Sequence, residues 1–153
     1  MIEKRNIRMK KKKPPLEFYA KYLLIEFCRL YSPHTLDQLT ELFTKDVQAF
    51  GAALWRFSLG IDELRKYLQH NLTDVDHSGI EITSPIYCSS ASPTWASCMA
   101  KVSYIVKEKK HVFKGLRLSV IVEVEDGQWK IAHIHASFPA VLHKNFDAFS
   151  PEK

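Results

Sequence analysis

The sequence predicts an α+β domain: a long, strongly curved, mostly antiparallel sheet with three helices, all from the N-terminal half, packed on it. Two observations carry this. Before about residue 75, apolar residues recur at three- and four-residue steps; after residue 78 they alternate with polar ones at period two, in segments rich in β-branched and aromatic residues. Helices first and consecutive strands second is an α+β order. A long sheet covered by helices on one side must bend around them, which gives it a concave face.

The first helix is expected to start at Pro14 or Pro15, since proline suits a first turn. Leu16, Ala20, Leu23, Phe27 and Leu30 then form one apolar stripe, with Glu17, Lys21 and Glu26 off it. Ser32-Pro33 ends this helix and can cap the next, expected from Thr35 to Phe43 and closed by Lys45-Asp46. Val47 to Phe57 reads as an extended stretch interrupted by Gly51. A third helix follows Gly60, with Asp62 as cap and Ile61, Leu64, Leu68 and Leu72 as its apolar face. Four strand segments come next: GIEITSPIYCSS, WASCMAKVSYIVKEK, HVFKGLRLSVIVEVE and QWKIAHIHASF. Lys107 to Lys110 and Glu125-Asp126-Gly127 supply turns between them, and the Asp-Gly pair suits a tight hairpin.

Length and composition fit one domain: 153 residues, 46% hydrophobic and 25% charged. The formal charge of +5 is unevenly placed. Residues 1–15 hold seven basic groups and only Glu3 as an acid, leaving 15 basic and 16 acidic residues beyond them. A folded surface that binds nucleic acid keeps a basic stripe; here the excess lies in a tail ending in KKKKPP. Residues 1–14 are expected to be a flexible basic leader, 15–143 the domain and 144–153 a C-terminal tail. Weak attraction of Lys10–Lys13 to a polyanion is the one nucleic-acid contact expected. No segment suits a secretory signal or a membrane span. Cys28, Cys88 and Cys98 are odd in number and lack C-x-x-C spacing, which disfavours disulfides and a cysteine zinc site and fits a reducing cytoplasm.

Strict alternation places Trp129, Ile131, His133, His135 and Ser137 on one face of the last strand. Arg117, Ser119 and Ile121 share a face of the preceding strand, opposite Leu116, Leu118 and Val120. A ligand pocket is mostly apolar with a few convergent polar groups, so Arg117, Ser119, His133 and His135 are assigned to the concave side. For the histidine pair three roles compete. Rings about 7 Å apart could share a metal ion, but no further ligand stands at an obvious spacing and no metal is assigned. A histidine beside cationic Arg117 would be held neutral and basic, as acid–base chemistry needs. Or both simply hydrogen-bond to neighbours and shape a pocket or dimer contact. Trp129, Trp95 and Trp55 are expected as pocket walls or core, and Tyr19 is preferred over Tyr22 for an inward hydroxyl.

Three stretches resemble the nuclear transport factor 2-like superfamily, in particular its SnoaL-like and ketosteroid-isomerase-like members: LDQLTELFTKDV, GIDELRKYL and VIVEVEDGQWKIAHIHAS. The likeness spans about residues 16–139. It implies a cone-shaped fold, a homodimer, and either an enzyme (isomerase, cyclase, dehydratase) or a non-catalytic assembly module. The two acids of the isomerases match Gly51 and Ile121 here, so that proton shuttle is not expected. The combined expectation is a cytoplasmic, cofactor-free homodimer that holds a small, partly apolar ligand, with Arg117 as the contact for an anionic group. A dimerisation module, or an enzyme using His133 and His135, are the alternatives.

Overall fold

The computed structural model describes residues 13–52 and 57–139. Three helices, α1 (Leu16–Leu30), α2 (Leu36–Glu41) and α3 (Ile61–Leu72), pack on one side of a single open sheet. Its strands are β1 (Phe43–Phe50), β2 (Phe57–Leu59), β3 (His77–Ile82), β4 (Tyr87–Cys88), β5 (Thr94–Val106), β6 (Lys109–Glu125) and β7 (Gln128–Ser137). They run in the order β2-β1-β7-β6-β5-β3, with β4 also on β5; the β1–β7 pair is parallel and the others antiparallel.

α1 buries the expected stripe from Ala20 to Leu30, together with Leu24 and Cys28, across β5. Leu16, at its exposed first turn, stays outside. Ser32 accepts a hydrogen bond from the His34 N–H at 3.3 Å and so caps a short 3-10 turn, Pro33–Thr35. The second helix is shorter than its pattern suggested. Phe43, 2% exposed, belongs to β1 opposite Ile131, and the Ile131 N–H donates to the Leu42 carbonyl at 2.7 Å. Thr44 to Asp46 therefore continue a strand. Asp62 does not cap α3. Gly60 (φ 82°) takes that position, and Glu63 reaches back to accept the Leu59 N–H at 2.8 Å.

The first of the four strand segments, GIEITSPIYCSS, breaks in two around Pro85, giving β3 and β4. Both long hairpins close in two-residue turns with positive φ, at Lys107-Glu108 (47°, 65°) and Asp126-Gly127 (50°, 77°). Two bulges bend the sheet. At Gly115 (φ 78°) β6 carries one extra residue between its Leu116 and Lys114 pairings with Ala100 and Lys101. At Ala132 β7 does the same, between Ile131↔Val122 and His133↔Ile121. The second bulge decides where the histidines go.

Candidate ligand site

The helices and the inner face of the sheet enclose a cavity of about 310 Å³. That volume suits a small ligand. α1 contributes Phe27 and Tyr31 from its last turn and end; α3 contributes Leu64, Tyr67, Leu68 and Asn71. The sheet supplies Val102 and Tyr104 from β5, Leu116 and Leu118 from β6, and Ile134 and Ala136 from β7. Phe113 and Phe138 lie at one end, 6.2 Å between ring centroids. Among the described lining residues none bears a carboxylate, imidazole, amine, guanidinium or thiol.

The polar groups of this cavity are phenols and one amide. The Tyr31 and Tyr104 hydroxyls stand 3.0 Å apart and hydrogen-bond to each other. Tyr31 is 7% exposed, and its pKa is pushed well above the ordinary phenol, first by burial and then by Tyr104. Burial raises Tyr104 in the same direction, opposed by its bond to Tyr31. Both stay protonated at neutral pH, so they donate hydrogen bonds and do not act as bases. Gly51 completes the corner. A Cβ there would meet the Tyr67 hydroxyl at 2.3 Å, so the Tyr67 phenol fills the space that any side chain at 51 would need.

The residues assigned to the pocket from sequence do come together, but on the other side of the sheet. β6 alternates strictly from Leu116 to Val122: Leu116, Leu118, Val120 and Val122 are buried, and Arg117, Ser119 and Ile121 are exposed. On β7 the extra residue Ala132 reverses the alternation. Trp129 and Ile131 point to the helices, but His133, His135 and Ser137 point outward, opposite Ile121, Ser119 and Arg117. The assignment of Arg117, Ser119, His133 and His135 to the concave side is corrected accordingly. An apolar cavity needs the apolar face of each strand, and that is the face it has. Trp95, opposite Ile121, is exposed on the outer face as well. Trp129 is inward but covered by Tyr19, whose ring stacks on it at 4.8 Å, and neither lines the cavity. Trp55 lies outside the described residues.

On the outer face the Phe50 ring lies 5.9 Å from His133 and 5.8 Å from His135. Burial lowers the His133 pKa, and the neighbouring His135 lowers it further. Among the described residues no three His, Cys, Asp or Glu side chains are placed to hold one metal ion. Ile121, near which the second isomerase acid is expected to fall, faces away from the cavity, so a carboxylate at 121 would not enter it. The thiols are free. Burial pushes Cys28 up to about 12, with Cys98 adding to the effect, and Cys98 up to about 11. Buried thiols this weakly acidic are inert.

Sequence reasoning missed Tyr31, Tyr67, Asn71 and Tyr104. Tyr31 continues the α1 stripe four residues after Phe27, and Tyr67 and Asn71 flank Leu64 and Leu68 on α3. Tyr104 extends the buried run Cys98, Ala100, Val102 on β5. Each sits on an apolar face, where a tyrosine hydroxyl needs a partner.

The profile of the SnoaL-like domain matches residues 21–141. The chain belongs to the SnoaL-like domain family. Its fold is that of the nuclear transport factor 2-like superfamily. No curated protein matches this SnoaL-like chain in sequence. Solved structures similar to it include a candidate aromatic ring hydroxylase from Novosphingobium aromaticivorans (TM-score 0.70, 12% identity, covering 82% of this chain and 92% of that one). ActVI-ORFA from Streptomyces coelicolor is similar at TM-score 0.65 and 10% identity over 80% and 96% of the two chains. A candidate calcium/calmodulin-dependent protein kinase II association domain from Xanthomonas campestris is similar at 0.66 and 14%, over 80% and 86%. Identities this low establish a shared fold, and activity must be read from the site.

Proposed function

We propose that this SnoaL-like protein binds a small, neutral, largely apolar molecule in its cavity and holds one oxygen of that molecule with the Tyr31–Tyr104 hydroxyl pair. The supporting observation is that pair: two protonated, mutually hydrogen-bonded hydroxyls in a mostly apolar wall. A carbonyl would accept from one phenol while the other supports it. A neutral ligand replaces the anionic one, since Arg117 stands on the far face. The described lining lacks a base, which favours binding over proton-transfer catalysis, and His133 and His135 are separated from the cavity by the sheet. A thermal-shift series with a naphthyl ketone and its matched hydrocarbon tests this. The ketone should stabilise the wild type more than the hydrocarbon, and Tyr104→Phe should level the two. Ala136→Phe, which fills the cavity, should abolish both shifts. A ketone advantage that survives both Tyr31→Phe and Tyr104→Phe sinks the proposal.

The outer face supports a second role, pairing with another copy of the chain. Phe57 and Leu59 on β2, Phe50 on β1, Ile121 on β6, and Trp95 and Met99 on β5 form cross-strand rows of exposed apolar side chains. Exposed apolar side chains gathered on one face mark interaction surfaces more often than isolated ones do. In the proposed homodimer His133, His135, Ser119 and Arg117 supply the polar contacts among these side chains. Light scattering on Ile121→Asp should then report a monomer where the wild type is a dimer; a wild-type monomer at high concentration rejects the pairing. No helix among the described residues is long and apolar enough to cross a membrane. Three free thiols fit the proposed cytoplasmic location.

A further inference from the structure

Beyond residue 15 the chain is nearly neutral, yet its charge is polarised. The eight residues Lys107–Lys114 hold four lysines and one acid, while the rest of the chain after Pro15 holds 11 basic and 15 acidic residues. Those eight residues are the end of the β5–β6 hairpin. Its turn is tight (φ 47° and 65°), and pairing extends to Val106↔Lys109, so the lysines project from a rigid ribbon. Lys107, Lys109, Lys110 and Lys114 are exposed, and none has an ion-pair partner among the described residues. Elsewhere on the sheet Lys45, Lys101 and Lys130 each have one. Lys114 even stands directly opposite Lys101, a repulsive cross-strand placement.

Two large apolar side chains stand among these charges. Val112 is 45% exposed and Phe113 50% exposed. Val112 shares its side of the ribbon with Lys110 and Lys114; Phe113 shares the other with Lys109 and His111. Phe113 also lines the cavity, with Tyr104 at 6.1 Å and Phe138 at 6.2 Å. The basic ribbon is thus joined to the cavity through one half-exposed ring.

We propose that the β5–β6 hairpin docks the protein on an anionic membrane surface, with Lys107, Lys109, Lys110 and Lys114 meeting lipid headgroups and Val112 and Phe113 inserting between them. Clustered lysines are drawn to anionic leaflets, and apolar side chains among them add burial at the headgroup boundary. The choice of a membrane over another polyanion rests on the cavity reading, because a neutral apolar ligand partitions into bilayers and Phe113 connects the two. A simpler role for the lysines is to guard the edge of β6, which has no strand partner beyond Arg117↔Ser137 among the described residues. A guard would not place Val112 and Phe113 in the open beside the lysines.

Co-sedimentation of the full chain with vesicles tests the proposal, comparing pure phosphatidylcholine with phosphatidylcholine containing about a third phosphatidylserine. Binding is expected to the anionic vesicles only and to fall as salt rises. The triple change Lys107→Gln, Lys109→Gln, Lys110→Gln should weaken it by about fivefold per lysine, on the order of 100-fold together. Phe113→Ser keeps every charge and should still weaken it several-fold. Lys10–Lys13 stays intact throughout, so its contribution is constant, and thermal melts confirm that each variant is folded. No wild-type binding, equal binding by the triple variant, or equal binding by Phe113→Ser with full displacement by transfer RNA each overturns the proposal. So does a triple variant that aggregates while keeping its vesicle affinity, which is the edge-guard outcome. None of these results alters the ketone experiment, which reads the cavity alone.

Discussion

The two faces of the central sheet are built from alternate residues of the same strands and do opposite things. The inner face of β6 and β7 presents Leu116, Leu118, Ile134 and Ala136 to a cavity whose only described polar groups are phenols and an amide. The outer face presents Arg117, Ser119, His133 and His135 among exposed apolar side chains. A convergent set of polar residues therefore marks a surface here and not a pocket. The difference shows that chemical richness on a strand does not say which side encloses a ligand. Curvature says that, and curvature is set by the helices and the bulges.

Adjacent residues on β6 give the sharpest contrast. Leu118 is 1% exposed and lines the cavity; Ser119 is exposed on the far side. Leu118→Ala should cost about 2–3 kcal/mol, the lower part of the range for buried leucine truncation, because a cavity already borders one side of it. Ser119→Ala should stay within about 0.5 kcal/mol in the monomer. Urea melts of both variants in an Ile121→Asp background, which removes the proposed pairing, would measure the two faces separately. Equal costs would break the comparison.

Gly51→Ala comes next. The added Cβ would meet the Tyr67 hydroxyl, Cζ and Cε1 at 2.3, 2.6 and 2.9 Å, so the ring must move. Overpacking of this kind costs about 1–3 kcal/mol. Trimming the ring with Tyr67→Ala should make Gly51→Ala nearly harmless, giving a strongly non-additive double-mutant cycle. Additive costs would show that the glycine is there for its backbone and not for Tyr67.

Much of the fold could be read from the sequence because its causes are local. The α1 and α3 stripes, the Asp126-Gly127 turn and the change from period 3.6 to period 2 each leave a pattern within a dozen residues. The glycine at 115 even marks its own bulge. Ala132 leaves no such mark. Its extra residue accompanies an irregular stretch in the pairing of β1 with β7, where Phe43 stands opposite Ile131 and Gln48 opposite His133. That arrangement links segments almost 90 residues apart, and it turns His133 and His135 outward. The Tyr31–Tyr104 bond is hidden for the same reason: each tyrosine looks like core within its own element, and only the packing of α1 on β5 brings their hydroxyls together.

Removing one hydroxyl of that pair should have a smaller effect on stability. Tyr31→Phe leaves the Tyr104 oxygen in the cavity wall without its partner, at a cost of about 1–3 kcal/mol if the oxygen is left dry and less if water replaces the phenol. The double variant, Tyr31→Phe with Tyr104→Phe, should recover part of the loss, since it removes both hydroxyls of the pair; the part not recovered includes the hydrogen bond of Tyr31 with Asn71. Thermal melts of the three variants measure this. A double variant less stable than the sum of the singles would mean that each hydroxyl has a separate partner.

The smallest expected effect belongs to the outer face and to pH. The folded-state pKa of His133 is lowered by burial and then by His135, so the folded chain binds fewer protons at this site than the unfolded chain does. Stability at this site is therefore unaffected above the ordinary histidine pKa of about 6.5, falls as the pH drops from there towards the lowered value, and levels off below it. His133 is only partly buried, so solvent screening keeps the change small in the monomer. Pairing of two outer faces would bury the same imidazole further and depress it more, so the acid penalty should be larger in the dimer. Dimer dissociation followed from pH 7 down through the histidine range should accordingly steepen relative to the unfolding of Ile121→Asp monomers, and His133→Asn should flatten both curves. If His133→Asn leaves the acid limb of dissociation unchanged, the imidazole is not at the interface, and the outer face must pair elsewhere or not at all.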